Sequence, residues 1–183
     1  MGYYGRSFEL ANRVRPLKTK ADFKGLKMRC NLPTAVAAVA AMGSAPLKMS
    51  SSEVYMALQR KTIDGVVSGA QSIVKRKWNE TCKYLTLTNG SFSPWPVTVN
   101  TKFWNTLPPD IQQAVMEAAA EVSKISLEQA EKEDAAALSE ARKSMEIYAL
   151  EGEWPEARDA GLSAWRKRSG DETADNVLKL LDM

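Results

Sequence analysis

One arginine stands where a predicted strand leads into a predicted helix. Apolar and polar residues alternate over residues 26–32, which is the period of a half-buried strand, and Pro33 suits the first position of a helix. Arg29 therefore lies near the carboxyl end of the strand, the edge where ligands gather in open α/β sheets. Its planar guanidinium matches a carboxylate. Taken by itself, the strand pattern favours a simpler interpretation, a solvated arginine on the face of a sheet.

The composition removes many catalytic chemistries. The chain has 183 residues and no histidine, which excludes Ser-His-Asp and Cys-His nucleophile systems and histidine-ligated zinc or haem. Cys30 and Cys82 are too few for a thiolate metal site. The sequence leaves open whether they pair, although two free, packed thiols are favoured. We therefore predict a protein that is not an enzyme and has no cofactor or metal.

Three further motifs have simpler explanations than the functions they suggest. Ser68 lies in a G-x-x-S-G pattern, whereas a nucleophile elbow needs G-x-S-x-G. Residues 75–78 and 165–168 mix cations with a tryptophan, as nucleic-acid grooves do, but each fits a solvated helix face with a buried ring. The net charge of +3 is mild, and the longest apolar run, residues 35–42, is too short to span a bilayer. We predict no nucleic-acid partner.

Strands and helices alternate before one long helix. Strands are predicted at residues 26–32, 62–69, 83–88, 97–100 and 145–150, with a short strand or an extended link at 45–47. Helices are predicted at 33–42, 54–58, 70–80, 109–144, 155–168 and 172–181. Gly43 is predicted to end the first helix, and Ser50 with Glu53 has capping-box spacing. The helix over 109–144 would extend about 50 Å. It must bridge two bodies, kink or pair with another helix.

Short motifs along the whole chain occur in an order and spacing typical of a known family. They are GR (5–6), RPLKT (15–19), ADFKGLKMR (21–29), MGSAP (42–46), SEVYMALQ (52–59), IDG (63–65), KYLTLTN (83–89) and WNTLP (104–108). Together they resemble the DctP-type solute-binding proteins of TRAP (tripartite ATP-independent periplasmic) transporters.

The resemblance implies an α/β fold of the type II-like periplasmic binding class, in which two lobes enclose a cleft. Residues 1–100 would be the second, ligand-binding lobe, a mixed sheet flanked by helices with its crossing strands. Residues 101–144 would be the long lobe-bridging helix, and 145–183 a C-terminal strand and helices that pack on the lobes. Most of the first lobe would precede this chain, so we expect a fragment, a truncated chain or a split gene product.

The resemblance also assigns site residues. Arg29 matches the arginine that forms a paired salt bridge with the ligand carboxylate, and Arg6 matches a second cleft arginine, although the segment between them is a few residues longer than in sialic-acid binders. Ser68 stands where many relatives carry asparagine, Ser51 where some place an aromatic ring, and Asn31 near a polar cleft position. Ser68 and Asn31 could equally form local backbone hydrogen bonds.

The implied function is capture of a small organic acid in the periplasm and its delivery to the TRAP membrane permease, with closure by hinge bending. The periplasmic location rests on the resemblance, since Arg6 and Glu9 interrupt any signal-peptide pattern. A rival hypothesis is a non-catalytic module that self-associates through its long helix and exposed first-lobe interface. A weaker one is a basic nucleic-acid binder.

Overall fold

The computed structural model describes residues 8–88, 97–152 and 154–180. In this part of the chain a six-stranded sheet carries helices on both faces. The strands are β1 (Glu9–Asn12), β2 (Lys27–Arg29), β3 (Ala45–Leu47), β4 (Gly65–Ser68), β5 (Tyr84–Leu87) and β6 (Glu146–Ala149). The helices are α1 (Pro33–Ala41), α2 (Val54–Gln59), α3 (Ala70–Lys75), α4 (Thr101–Trp104), α5 (Pro109–Ala141), α6 (Pro155–Ser169) and α7 (Asp171–Leu180).

The sheet is mixed, which confirms the predicted α/β class. Its strand order is β3-β2-β4-β1-β5-β6. β2 runs parallel to β3 and β4, β1 runs antiparallel to β4 and β5, and β6 is parallel to β5. One edge of the sheet therefore collects the ends of β2, β3, β4 and β5 together with the start of β1. Because β6 joins this sheet and α6 packs on α1, residues after 145 pack on the same body. The division into three segments stays a prediction.

Side-chain alternation separates two buried layers. The layer that contains Trp78 is formed by Ala11, Val66 and Leu85 of the sheet under α2, α3 and the end of α5. The layer that contains Phe23 lies on the other face under α1. Cys82 belongs to the first layer and Cys30 to the second, and both thiols are free, as predicted. Burial raises the pKa of each thiol to about 12.

Several local sequence signals produce the structure predicted from them. α1 begins at Pro33, and Gly43 follows it with a φ of 92°, a left-handed value that suits glycine. The Glu53 carboxylate accepts a hydrogen bond from the Ser50 backbone N–H at 2.9 Å, which is half of the predicted capping box. The Ser50 hydroxyl instead contacts Ser52. Glu53 therefore has the structural role expected from its spacing.

Two element predictions are wrong. The helix predicted over residues 70–80 ends at Lys75, because Lys77 adopts a left-handed φ of 59° and turns Trp78 into the core. Residues 97–100 form no strand, although valine and threonine favour one, because no described strand pairs with them. Asn100 instead caps α4, and its side-chain oxygen accepts from the backbone N–H groups of residues 102 and 103.

The long helix is confirmed and lies largely in solvent. α5 has 33 residues and extends about 50 Å. Its buried residues, Ala130, Ala137 and Ala141, all belong to its C-terminal half. No residue between 109 and 129 is buried, so this part of α5 projects from the body. Within the described ranges, no helix combines the length and apolarity that crossing a membrane would require.

Candidate functional site

Arg29 is the last residue of β2 and is almost fully buried, with 3% of its surface exposed. It lies beside Leu47 of β3 and Val66 of β4. Its Nε and Nη2 atoms donate to the Met49 carbonyl at 3.2 and 3.0 Å, and Nη2 also donates to the Ser51 hydroxyl at 3.1 Å. The loop after β3 therefore holds one side of the guanidinium and fixes its plane.

This buried cation has no protein counter-charge. In the described part of the chain, no carboxylate lies within 4.0 Å of Arg29, and its Nη1 atom has no hydrogen-bond partner. The guanidinium carbon lies 6.0 Å from the centre of the Trp78 ring. Burial, more than the nearby charge of Arg76, lowers the pKa of Arg29, yet an arginine side chain stays charged in proteins. A buried cation with a free donor suits an incoming anion.

The other predicted site residues are not all brought to Arg29. Ser51 contacts it directly. Ser68 ends β4 at the same edge, is buried, and makes no side-chain hydrogen bond to another described residue. Asn31 is exposed and makes none either, over the same ranges. Arg6 lies outside the described residues. The described ranges also contain no group of three or more histidine, cysteine, aspartate or glutamate side chains that could hold a metal ion.

Glu9 is a buried charge at this edge that sequence reasoning missed. It begins β1, lies opposite Ser68, and is 4% exposed. Its Oε2 atom accepts a hydrogen bond from the Thr88 backbone N–H at 2.7 Å. Burial is the main cause of its raised pKa, to which the charge of Asp134 on α5 adds, while the Thr88 hydrogen bond acts in the opposite direction. No local pattern marks Glu9, because β1 is only four residues long.

The Glu9→Gln variant is expected to unfold at a higher temperature than the wild type at pH 8. A carboxyl whose pKa is raised on folding stabilises the fold only while protonated, and this contribution is lost as pH rises through the folded pKa. Glutamine removes the buried charge and keeps an acceptor for the Thr88 N–H. The difference in unfolding temperature between Glu9→Gln and the wild type should shrink as pH falls towards about 4.

Calorimetric scans at pH 4 and pH 8 measure this difference. Glu117→Gln, which changes an exposed glutamate on α5, is the matched control and should leave the unfolding temperature unchanged at both values. A gain for Glu9→Gln that is as large at pH 4 as at pH 8 would contradict the argument.

A comparison with known protein families identifies the family of this chain. The profile of the family described as DctP, bacterial extracellular solute-binding protein, family 7, matches residues 3–169. The chain belongs to this family. The resemblance noted from the sequence motifs is therefore confirmed, and the matched family is one of solute-binding proteins rather than enzymes.

Individual family 7 proteins match only with part of their length. The chain is 34% identical over 122 residues to the C4-dicarboxylate-binding periplasmic protein DctP of Rhodobacter capsulatus. This match covers 66% of this chain and 37% of that protein. A TRAP periplasmic solute binding protein of Ochrobactrum anthropi, solved with its C-terminus in the ligand-binding pocket, is 30% identical with a TM-score of 0.85. The match covers 98% of this chain and 58% of that one.

A third comparison has a sugar acid in place. The TRAP periplasmic solute binding protein of Pseudomonas putida F1, solved with bound D-glucuronate, is 26% identical with a TM-score of 0.79. That match covers 98% of this chain and 58% of the solved chain. This family 7 chain thus spans little more than a third of the Rhodobacter protein and well under two thirds of the solved structures.

Proposed function

We propose that this chain carries the carboxylate-binding lobe of a TRAP transporter's periplasmic solute-binding protein. The protein captures a small organic acid and delivers it to the membrane permease. One observation carries the proposal: Arg29 is a buried cation with a free Nη1 donor and no carboxylate partner among the described residues. The ligands named for the Rhodobacter and Pseudomonas relatives, a C4-dicarboxylate and D-glucuronate, are both carboxylates.

Each nitrogen atom of the Arg29 guanidinium has a distinct role in the proposed binding. The Met49 carbonyl and the Ser51 hydroxyl hold Nε and Nη2, so that Nη1 is oriented before the ligand arrives. The ligand carboxylate binds Nη1 and supplies the missing counter-charge, in surroundings where burial strengthens electrostatic attraction. Contacts with the other lobe then favour the closed state.

The remaining predicted ligand residues have unequal support. Ser51 is better placed to position Arg29 than to contact the ligand, because its hydroxyl already accepts from Nη2. Ser68 stays a proposed contact, supported by its place at the same edge and its unpaired hydroxyl within the described ranges. Asn31 and Arg6 stay proposals that rest on the resemblance alone.

Thermal-shift screening of the purified protein tests the function. A bound ligand raises the unfolding temperature as its concentration exceeds the dissociation constant. We expect at least one acid among succinate, D-glucuronate, D-gluconate and amino acids to give a saturable rise, with no rise from D-glucose, the neutral counterpart of the sugar acids. If no carboxylate raises the temperature at millimolar concentration, or D-glucose does so equally, the proposed function is wrong.

The projecting part of α5 bears an apolar surface that needs a partner. Its exposed apolar residues on one face are Ile111, Val115, Val122 and Ile125, and Val97, Val99 and Phe103 lie exposed before it. A groove of about 380 Å³ runs between the two segments. We propose that the other lobe of the family fold covers this surface, since the chain spans 58% of the solved relatives. Where the surface is left uncovered, it mediates self-association.

Two charged substitutions on this face test the surface. For the 183-residue chain, we expect a molar mass that rises with concentration in size-exclusion chromatography with light scattering. The double variant Val115→Glu, Val122→Glu should stay monomeric, because buried charges oppose association. Gln113→Glu with Ala120→Glu adds the same number of carboxylates on the opposite, exposed face and should associate like the wild type. A wild-type chain that is monomeric at every concentration would contradict this role.

A further inference from the structure

Glu9 lies on the same face of the sheet as Arg29. Glu9 pairs with Ser68, and Ala11 pairs with Val66, so these four side chains share a face. Arg29 pairs with Val66 and therefore also belongs to this face. Since only β4 lies between β1 and β2, the Cα atoms of Glu9 and Arg29 are about 12 Å apart from strand spacing and register.

The two buried charges do not neutralise each other. Neither Glu9 nor Arg29 takes part in an ion pair within 4.0 Å in the described ranges. Glu9 receives one hydrogen bond, from Thr88 to Oε2, and its Oε1 atom has no described partner. A carboxylate that is removed from water normally needs several donors or a cation. The fold therefore leaves a hydrogen-bond acceptor, Oε1 of Glu9, at one position of this face and a donor, Nη1 of Arg29, at another.

We propose that Glu9 forms a second subsite, where it accepts a hydrogen bond from a hydroxyl or ammonium group of the solute whose carboxylate Arg29 binds. This inference rests on the function proposed above and narrows its substrate class. The solute carries a carboxylate at one end and a hydrogen-bond donor towards the other. Ser68, between the two charges, lies opposite Glu9 and can bond to the middle of such a molecule.

The same geometry disfavours a dicarboxylate. A second carboxylate at the Glu9 end would meet the Glu9 carboxylate and the charge of Asp134 from α5, which already acts on Glu9. Like charges in partly buried surroundings repel strongly. We therefore expect a preference opposite to that of the Rhodobacter relative, which is named for binding C4-dicarboxylates.

Matched pairs of acids test the subsite by titration calorimetry. D-gluconate and D-glucarate share a six-carbon hydroxylated chain and differ in the number of carboxylates, and 6-aminohexanoate and adipate form the same comparison for an ammonium group. We expect the wild-type protein to bind the monocarboxylate of at least one pair tenfold or more tightly than the dicarboxylate. The pair that shows this identifies the donor as hydroxyl or ammonium. In Glu9→Gln, the ratio should fall below about threefold, since the charge that repels the second carboxylate is gone.

The ratio between two ligands of one variant does not depend on how much of that variant is folded, so a partly unfolded Glu9→Gln sample still gives an answer. Glu117→Gln should keep the wild-type ratio. A wild-type protein that binds the dicarboxylate as tightly as its monocarboxylate partner, or a ratio unchanged in Glu9→Gln, overturns the subsite. If acids bind through Arg29 in either case, only this inference is wrong. If no carboxylate binds, the proposed function is wrong as well.

Discussion

The Arg29→Ala variant is expected to lose roughly 3–5 kcal/mol of binding free energy for the carboxylate solute. This loss lowers the affinity by about two to three and a half orders of magnitude. The effect is large because Arg29 is buried and, among the described residues, has no carboxylate partner of its own. Removing the guanidinium leaves the ligand carboxylate desolvated without its counter-charge. Titration calorimetry with the acid found by screening measures the change.

Two substitutions separate the guanidinium's geometry from its charge. Arg29→Lys keeps the charge but cannot bond the Met49 carbonyl, the Ser51 hydroxyl and a ligand in one plane, so its affinity should be intermediate. Arg76→Ala removes an exposed cation at 5.9 Å from the same Trp78 ring and should change the affinity less than about tenfold. An Arg29→Ala protein with wild-type affinity would contradict the assignment, and so would an equal loss in Arg76→Ala.

Local sequence patterns predicted the position of Arg29 but not its surroundings. Alternation before Pro33 places an arginine at a strand end, and this required no knowledge of the rest of the fold. The partners of Arg29 come from residues 20 and 22 positions later, which reach it because β3 returns parallel to β2. The simpler interpretation, a solvated arginine, is wrong for the same reason: the crossover buries the side chain.

Glu9 shows the limit of such reasoning more clearly. Its burial depends on the pairing of β1 with β4, between residues 59 positions apart, and on a hydrogen bond from Thr88. No short-range pattern encodes either contact. A four-residue strand is also too short to give a clear alternation.

The same distinction, between local patterns and contacts of distant residues, explains which elements were predicted correctly. α1, α5 and the turn at Gly43 are determined by proline, glycine and helix-favouring composition within the element itself. The prediction of a strand at residues 97–100 was wrong because β-propensity stabilises a strand only when a neighbouring strand pairs with it. The helix after Ala70 stops early because burying Trp78 requires the left-handed turn at Lys77.

The Gly65→Ala variant is expected to lose about 3 kcal/mol or more of unfolding free energy. Gly65 begins β4, which lies between β2 and β1. A Cβ atom at this position would stand 2.4 Å from the Ala11 carbonyl oxygen, 2.7 Å from the Asn12 Cβ and 2.8 Å from the Met28 sulfur. Two of these atoms belong to the neighbouring strand close to its backbone, so relief requires the ladder itself to shift.

Urea unfolding followed by circular dichroism measures this loss, and Gly161→Ala provides the control. Gly161 lies inside α6, where an added Cβ would approach no atom closer than 3.7 Å, so alanine should stabilise the protein by up to about 1 kcal/mol. A Gly65→Ala protein as stable as the wild type would show that β4 does not pack as closely as the structure indicates. Because Gly65 pairs with both Met28 and Asn12, the residue sets the register that aligns Arg29 and Glu9. Any Gly65→Ala protein that still folds should therefore also bind its acid more weakly, whereas Gly161→Ala should not.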